Sequence, residues 1–328
     1  PRVALQYAVP PQKMTDRVDK IGSGLRIGPM TFPWPRLTIA QSEKLWGYLL
    51  IMPFMAFFVV FFLLPYGMVI WLSVVDWHPR GVTEYVGLQN YADVVEMPSA
   101  QKSMVNSFYY ALMVVPISTA LSLLTAILIV SLRSSNLRGF FQAAFYLPGV
   151  ISGLAVAIIW RFVFDFHVGV LNYALSLVKL EPVNWLGSIY AALPSLAGMA
   201  IVSSNGVAII IFCAALLSIP SSLYDAAAVD GAAFWRKHWA ITLPLLTPAM
   251  LYVIVVSTLG ALQVFVPIYV LTRGGPVHST ITVGYYIYNQ LIFYANAGTA
   301  AAAGLLLLVA TVGFTIFQFR RFSQVVEF

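Results

Sequence analysis

Residues 221–248 read SSLYDAAAVDGAAFWRKHWAITLPLLTP, and they interrupt a chain otherwise built from long apolar runs. One such run stops ahead of the stretch at Ile219-Pro220, and another begins near Leu245. Asp225, Ala226, Ala227 and the residues up to Val229 predict a short helix. Ser222 stands three residues before Asp225, the spacing of a capping box, which would put a carboxylate at the positive end of the helix dipole. Gly231 ends that helix, by a left-handed backbone or by a close approach that a side chain would block. Asp230 is expected to accept backbone N–H bonds that hold the corner. Phe234, Trp235, His238 and Trp239 then recur at helical spacing on one side of a second short helix, with Arg236 and Lys237 turned elsewhere. The stretch therefore predicts a helix, a glycine corner and a helix, a folded knob rather than a tether.

The rest of the chain says where the knob is carried. With 60% hydrophobic and 9% charged residues over 328 positions, the charged fraction lies far below the roughly 25% of soluble domains. The mean hydropathy is +0.85. The expected class is an all-α polytopic membrane protein. Apolar runs long enough for about 20 helical residues each cover residues 46–75, 108–132, 140–164, 193–217, 246–271 and 299–319, which predicts six spans with both termini on one side. The lone cysteine, Cys213, lies inside the fourth run and reads as a small buried hydrophobe, so no disulfide framework exists within the chain.

Residues 1–45 hold seven basic and three acidic residues and a proline-rich Phe32-Pro33-Trp34-Pro35, without a spanning run. They read as a cytoplasmic tail, because the apolar block after them is far longer than the roughly 7–15 residues of a signal-peptide core. Thirteen of the eighteen Lys and Arg residues fall on the side of this tail, the knob, Arg133, Arg138, Arg320 and Arg321, and five fall on the other. The positive-inside rule makes the first side cytosolic. The +6 formal charge is thus dispersed at span ends, which does not suit a nucleic-acid surface.

No span carries Asp, Glu, Lys, Arg or His in its central stretch, whereas ion-coupled carriers place such a group at depth. Arg161 and Asp165, four apart at the end of the third run, predict a helix-end ion pair. Neutral polar residues do occur at depth, among them Ser118, Ser122, Ser203, Ser204, Asn205, Ser257, Thr258 and Gln263. No phosphate-cradling GxxxxGK[ST] is present, and His78, His167, His238 and His278 are scattered over separate loops. The chain does not read as an enzyme. Uphill transport would need energy from another polypeptide.

Asp225-Ala226-Ala227, Asp230-Gly231-Ala232, Ile241 and Leu243-Pro244 resemble the EAA motif of permease subunits of binding-protein-dependent ABC importers, roughly EAAxxDGAxxxxxFxxIxLP. Asp225 replaces the usual glutamate, and His238 the usual aromatic or apolar residue. Val86-Gly87-Leu88-Gln89-Asn90-Tyr91, Asn184-Trp185-Leu186-Gly187 and Tyr269-Val270-Leu271-Thr272-Arg273-Gly274-Gly275-Pro276 are similar to the VGLxNY, NWLG and YxLTxGGP segments of the carbohydrate branch. The resemblance covers residues 46–320, with 321–328 as a cytoplasmic tail.

The resemblance implies the type I importer architecture in a bacterial cytoplasmic membrane. It implies a second permease subunit, two cytosolic ATPase subunits that bind ATP and Mg, and an extracytoplasmic solute-binding protein; this chain itself would hold no cofactor. Asp225, Ala226, Ala227, Asp230, Gly231, Ala232, Phe234, Trp235 and His238 would form the coupling helix that meets the ATPase. Substrate contacts would lie before and after that motif, at Ser204, Asn205, Ser257 and Gln263, with Phe265 and Tyr269 as stacking faces for a sugar. Val266 stands where the family often has aspartate. Alternatives are a permease of the same family for a solute such as glycerol phosphate, and a stand-alone secondary carrier.

Overall fold

The structure, a computed structural model, describes residues 39–77, 83–203 and 205–323, with side chains described except at 39–43, 234–235 and 322–323. The chain divides into a unit ending at Phe61 and a unit from Phe62 onward. In the first, α1 (Ile39–Phe58) begins seven residues inside the expected tail and carries Pro53 in its interior. Its side chains from Lys44 on are exposed, including Trp46, Leu50, Phe54 and Phe57. A helix apolar on every side is suited to lipid rather than water. A π-helical turn, Val59–Leu63, leads on to α2 (Leu64–Leu72).

The second unit is organised around α4 (Pro98–Ser131), which follows the short α3 (Gln89–Glu96). At 34 residues and about 1.5 Å per residue, α4 is roughly 50 Å long, more than a bilayer core requires. Ser103, Ser107, Ala111, Ser118, Ser122 and Ala126 form a buried stripe of small side chains along it. Such a stripe lets other helices approach closely, and α4 accordingly touches α5 (Ser135–Val150), α8 (Ala192–Ser203), α9 (Gly206–Ser218), α12 (Leu243–Leu262) and α13 (Val283–Tyr288). Cys213 is fully buried among Ala126, Ile129, Ile209, Phe212 and Leu246, as a small apolar residue would be.

The architecture is all-α; among the described residues the strands amount to one two-residue β-ribbon, β1 (Val75–Asp76) antiparallel to β2 (Glu84–Tyr85). The six expected spans correspond to four unbroken helices and two bent pairs. The third run is α5 and α6 (Gly153–Val163), bent by 92°; after the short loop helix α7 (Val170–Leu177), the fourth is α8 and α9, bent by 47°. Pro148 and Gly149 precede the first bend, and Ile151 and Ser152 are extended there. Proline removes an N–H and glycine weakens the helix, so an apolar run can still break. The fifth run differs more. Its helix ends at Leu262 rather than 271: Gln263 caps it, Val264 and Phe265 leave the helical conformation, and a new helical turn opens at Val266 with Pro267 near its start, where a missing N–H is tolerated. At its other end the helix starts early: α11 (Phe234–Lys237), a π-helical turn (His238–Thr242) and α12 run on without interruption. The last helix, α14 (Ala297–Ser323), is joined to α12 by a buried bond from Gln318 Nε2 to Thr258 Oγ1 at 2.9 Å.

Candidate functional site

The knob is a helix, α10 (Ser221–Val229), a glycine corner, and the α11 end of the long rod. Its corner is closed by the backbone alone. Ala232 N–H donates to Ala227 O at 2.9 Å and Gly231 N–H to Ala228 O at 3.1 Å, with Gly231 at φ +72°. This is a Schellman motif, and it satisfies the carbonyls that a helix end leaves open. The space where a Gly231 side chain would stand is empty. The expected clash is therefore absent, and glycine is required for its left-handed φ.

The capping box also fails to form. Pro220 occupies the cap position, so Ser222 already lies inside the helix and Asp225 falls beyond its first turn. Asp230 caps the other end through its backbone. The carboxylates of Asp225 and Asp230 are both exposed and bind no described residue. The inner bracing comes instead from Thr242, which is 0% exposed. Its Oγ1 lies 2.9 Å from the Tyr224 hydroxyl and 2.9 Å from His238 Nδ1, tying α10 to the π turn. His238, expected at the contact face, is thus half-buried in the knob's own framework, while Trp239 is 69% exposed. Ala226 and Gly231 are exposed, and Ala227 and Ala232 partly so. The side chains of Phe234 and Trp235 lie outside the described residues.

A cavity of about 540 Å³ lies within the second unit, lined from α4, both broken spans and the rod. Its volume is within the roughly 300–1,000 Å³ usual for small-molecule sites. Both bends meet it: Pro148, Gly149, Ile151 and Gly153 from one, and Ser203, Asn205 and Gly206 from the other. Non-helical backbone at membrane depth persists where it is buried in protein or lines an aqueous cavity. Asn205 donates through Nδ2 to the carbonyl of Ile201, which the break deprives of its helical partner. Gly206 lets α9 touch α5, since a Cβ there would stand 2.5 Å from Phe145 O.

The lining has no Asp, Glu, Lys, Arg or His among the described residues; its polar groups come from Tyr110, Ser118, Thr119, Ser122, Ser203, Asn205, Tyr252 and Ser257. Of the expected substrate contacts, Asn205 and Ser257 line the cavity, and Ser204 lies outside the described residues. Gln263 does not line it: it caps the rod and is exposed. Phe265 and Tyr269 do not either, because they stack on one another at 5.5 Å and join Tyr285 and Tyr288 in a separate aromatic cluster. Thr119, Tyr110 and Tyr252 were not anticipated. Their signal was weak, a hydroxyl placed within an apolar helix.

The loop motifs are anchors. Asn90, in Val86-Gly87-Leu88-Gln89-Asn90-Tyr91, donates through Nδ2 to Ser73 O and Val75 O, and the Tyr91 hydroxyl donates to Ser73 Oγ. Trp185, in Asn184-Trp185-Leu186-Gly187, donates Nε1–H to Asn172 Oδ1 at 2.9 Å. The loop after Tyr269 is pinned to α4, where Asn106 Nδ2 donates to Ile281 O and Lys102 Nζ to Val277 O. The expected Arg161–Asp165 ion pair is replaced by a capped turn. Asp165 Oδ1 accepts the N–H groups of His167 and Val168 at 2.9 Å, which hold its carboxyl below the usual range.

A bundle of long apolar helices, whose two broken spans border a largely apolar cavity with uncharged polar groups in its wall, marks a multi-pass membrane protein. The family described as binding-protein-dependent transport system inner membrane component matches residues 99–321, and the chain belongs to that family. Among relatives, the trehalose/maltose transport system permease protein MalF of Thermococcus litoralis is 31% identical over 283 residues, 85% of this chain and 94% of the relative. The sn-glycerol-3-phosphate transport system permease protein UgpA of Yersinia pestis is 30% identical over 285 residues, 86% of this chain and 95% of the relative. A solved chain of a bacterial alginate ABC transporter, in complex with a periplasmic protein bound to alginate pentasaccharide, superposes with a TM-score of 0.77 at 23% identity, covering 87% of this chain and 96% of that one. That likeness concerns the fold.

Proposed function

We propose that this chain forms one half of the translocation pathway of an ATP-driven sugar importer in a bacterial cytoplasmic membrane. In this reading a six-span domain, 46–320, sits between cytosolic tails at 1–45 and 321–328. A second permease chain completes the pathway, two cytosolic ATPase subunits bind ATP and Mg, and an extracytoplasmic binding protein delivers the solute. The knob, 221–248, meets an ATPase subunit. Asp225, Asp230 and Trp239 supply its contact surface, since none of these side chains is taken up in the knob's internal hydrogen bonds.

The observation that carries the reading is the neutral cavity where both broken spans converge. An uncharged sugar needs groups that donate and accept, and hydroxyls and an amide do both. A phosphorylated solute needs a cation, and the described lining has none, so the similarity to a glycerol-phosphate permease weighs less here than the similarity to a trehalose/maltose permease. The excess of Lys and Arg on the knob's side supports its cytosolic placement.

The test is a reconstituted complex assayed for sugar uptake and sugar-stimulated ATP hydrolysis. Both are expected to fall at least tenfold in Gly231→Val, whose β-branched side chain resists a left-handed backbone. Uptake that continued without any ATPase subunit would overturn the reading.

A further inference from the structure

We propose that Thr119 and Ser122 form a hydroxyl pair in the cavity wall that binds the hydroxyl groups of an uncharged polyol in transit. The proposal rests on the sugar-importer reading and adds a wall of the site, α4, that is neither of the two spans flanking the EAA-like motif.

Hydroxyls inside the helices of this protein are normally satisfied by their own backbone. On α4 itself, Ser103 donates to Ala100 O at 2.7 Å, Ser118 to Val115 O at 3.3 Å and Ser131 to Leu128 O at 2.7 Å. Thr247, Thr258 and Thr315 do the same on other helices. Thr119 and Ser122 depart from this habit, as does Thr299 on α14, away from the cavity. Thr119 and Ser122 are 7% and 1% exposed, and their Oγ atoms are buried without a partner in the protein. Both line the cavity.

A buried hydroxyl left unpaired is unfavourable, so two hydroxyls set in a cavity wall that do not use their own helix carbonyls are satisfied by what the cavity admits. Three residues apart on a helix, the two stand on one face with Cβ atoms about 5–6 Å apart. That spacing lets them address two hydroxyls of one sugar ring. Each hydroxyl donates and accepts, which matches an alcohol. An anion would find no countercharge in the described lining, and an apolar solute would leave both hydroxyls unpaired.

The experiment uses the complete transporter in proteoliposomes, with maltose and glycerol 3-phosphate as probes. Thr119→Val and Ser122→Ala are each expected to raise the KM for maltose uptake roughly 5- to 10-fold, the worth of about one hydrogen bond. Maximal ATP hydrolysis should hold, and Thr119→Ser should restore the wild-type KM. An unchanged KM in both variants overturns the proposal. So does an equal defect in Thr119→Ser, which would mark a packing role.

A second arm does not depend on the solute. In a Cys213→Ala background, Thr119→Cys and Ser122→Cys should react with a small water-soluble thiol reagent, and inert thiols at both positions overturn the pair. If the wild type carries glycerol 3-phosphate and not maltose, the sugar reading fails, and the polyol assignment of the pair fails with it even where the thiols react. Reactive thiols and maltose uptake with an unmoved KM defeat the pair alone.

Discussion

Gly231 shows how one motif residue admits two physical readings. The sequence allows a left-handed backbone or a corner too tight for a side chain, and the structure leaves room for a side chain and asks only for φ +72°. The two accounts rank substitutions differently. A steric clash would favour Ala over the larger Asn. A left-handed backbone favours Asn, which tolerates that region, over Ala by a few tenths of a kcal/mol to about 1 kcal/mol. We expect sugar-stimulated ATPase activity in the order Gly231, Gly231→Asn, Gly231→Ala, Gly231→Val; Ala above Asn would restore the clash. Thr242 is a second case, invisible in sequence because its bonds run to Tyr224, eighteen residues away, as well as to His238. Thr242→Val keeps the shape but removes the buried hydroxyl that both bonds share, at a cost of about 1–3 kcal/mol. Faster hydrogen exchange over residues 221–242 is the expected sign, and Thr242→Ser should prevent it. At Asp165 the lowered carboxyl pKa makes the charged form stabilising. Its contribution is present above the ordinary carboxylate pKa and is lost as pH falls through the lowered value. Exchange at the His167 and Val168 amides, corrected for intrinsic rate, should therefore rise only in that acid range, and Asp165→Asn should remove the dependence.

The helices were readable from hydrophobicity, but their interruptions were not. A window of about 20 residues averages over Pro148-Gly149 and over Ser203 to Asn205, so both broken spans read as continuous runs, and these two interruptions bring backbone to the cavity. The same averaging extended the fifth span past Leu262, although Gln263 caps it and Val264 and Phe265 separate it from the helical turn that follows. Asn205 and Ser257 line the cavity and are conspicuous in the sequence as polar side chains in apolar runs. Gln263, Phe265 and Tyr269 fall outside its lining because the helix does not continue past Leu262. The meeting of α9 with α5 has its own test at Gly206, where an added Cβ would stand 2.5 Å from Phe145 O and 2.7 Å from Tyr146 Cα. Backbone atoms cannot rotate aside, so Gly206→Ala should destabilise the folded chain by about 1–3 kcal/mol. Gly139→Ala, on α5 with open space around it, should instead be neutral or stabilise by up to about 1 kcal/mol. Thermal unfolding of the purified chain in detergent compares the two, and equal shifts would show that the helices do not meet at Gly206.

The knob and the cavity are ends of one physical object. From Phe234 the helix passes through the π turn, braced at Thr242, and continues to Leu262, so that Tyr252, Val253, Val256, Ser257, Gly260 and Ala261 on the cavity wall belong to the rod that starts at the corner. A displacement of the knob then moves Ser257 without passing through a loop. The alternative, coupling carried diffusely by the packed helices, does not depend on the stiffness of that rod. Leu245 is exposed and Ala249 partly so, and replacing both with glycine softens the helix by about 1 kcal/mol per site while preserving its phase. Rigid transmission predicts that the double variant still hydrolyses ATP in response to sugar-loaded binding protein but moves fewer sugar molecules per ATP, a ratio measured in proteoliposomes. Diffuse coupling predicts an unchanged ratio, and that result would separate the knob's docking from the cavity's movement.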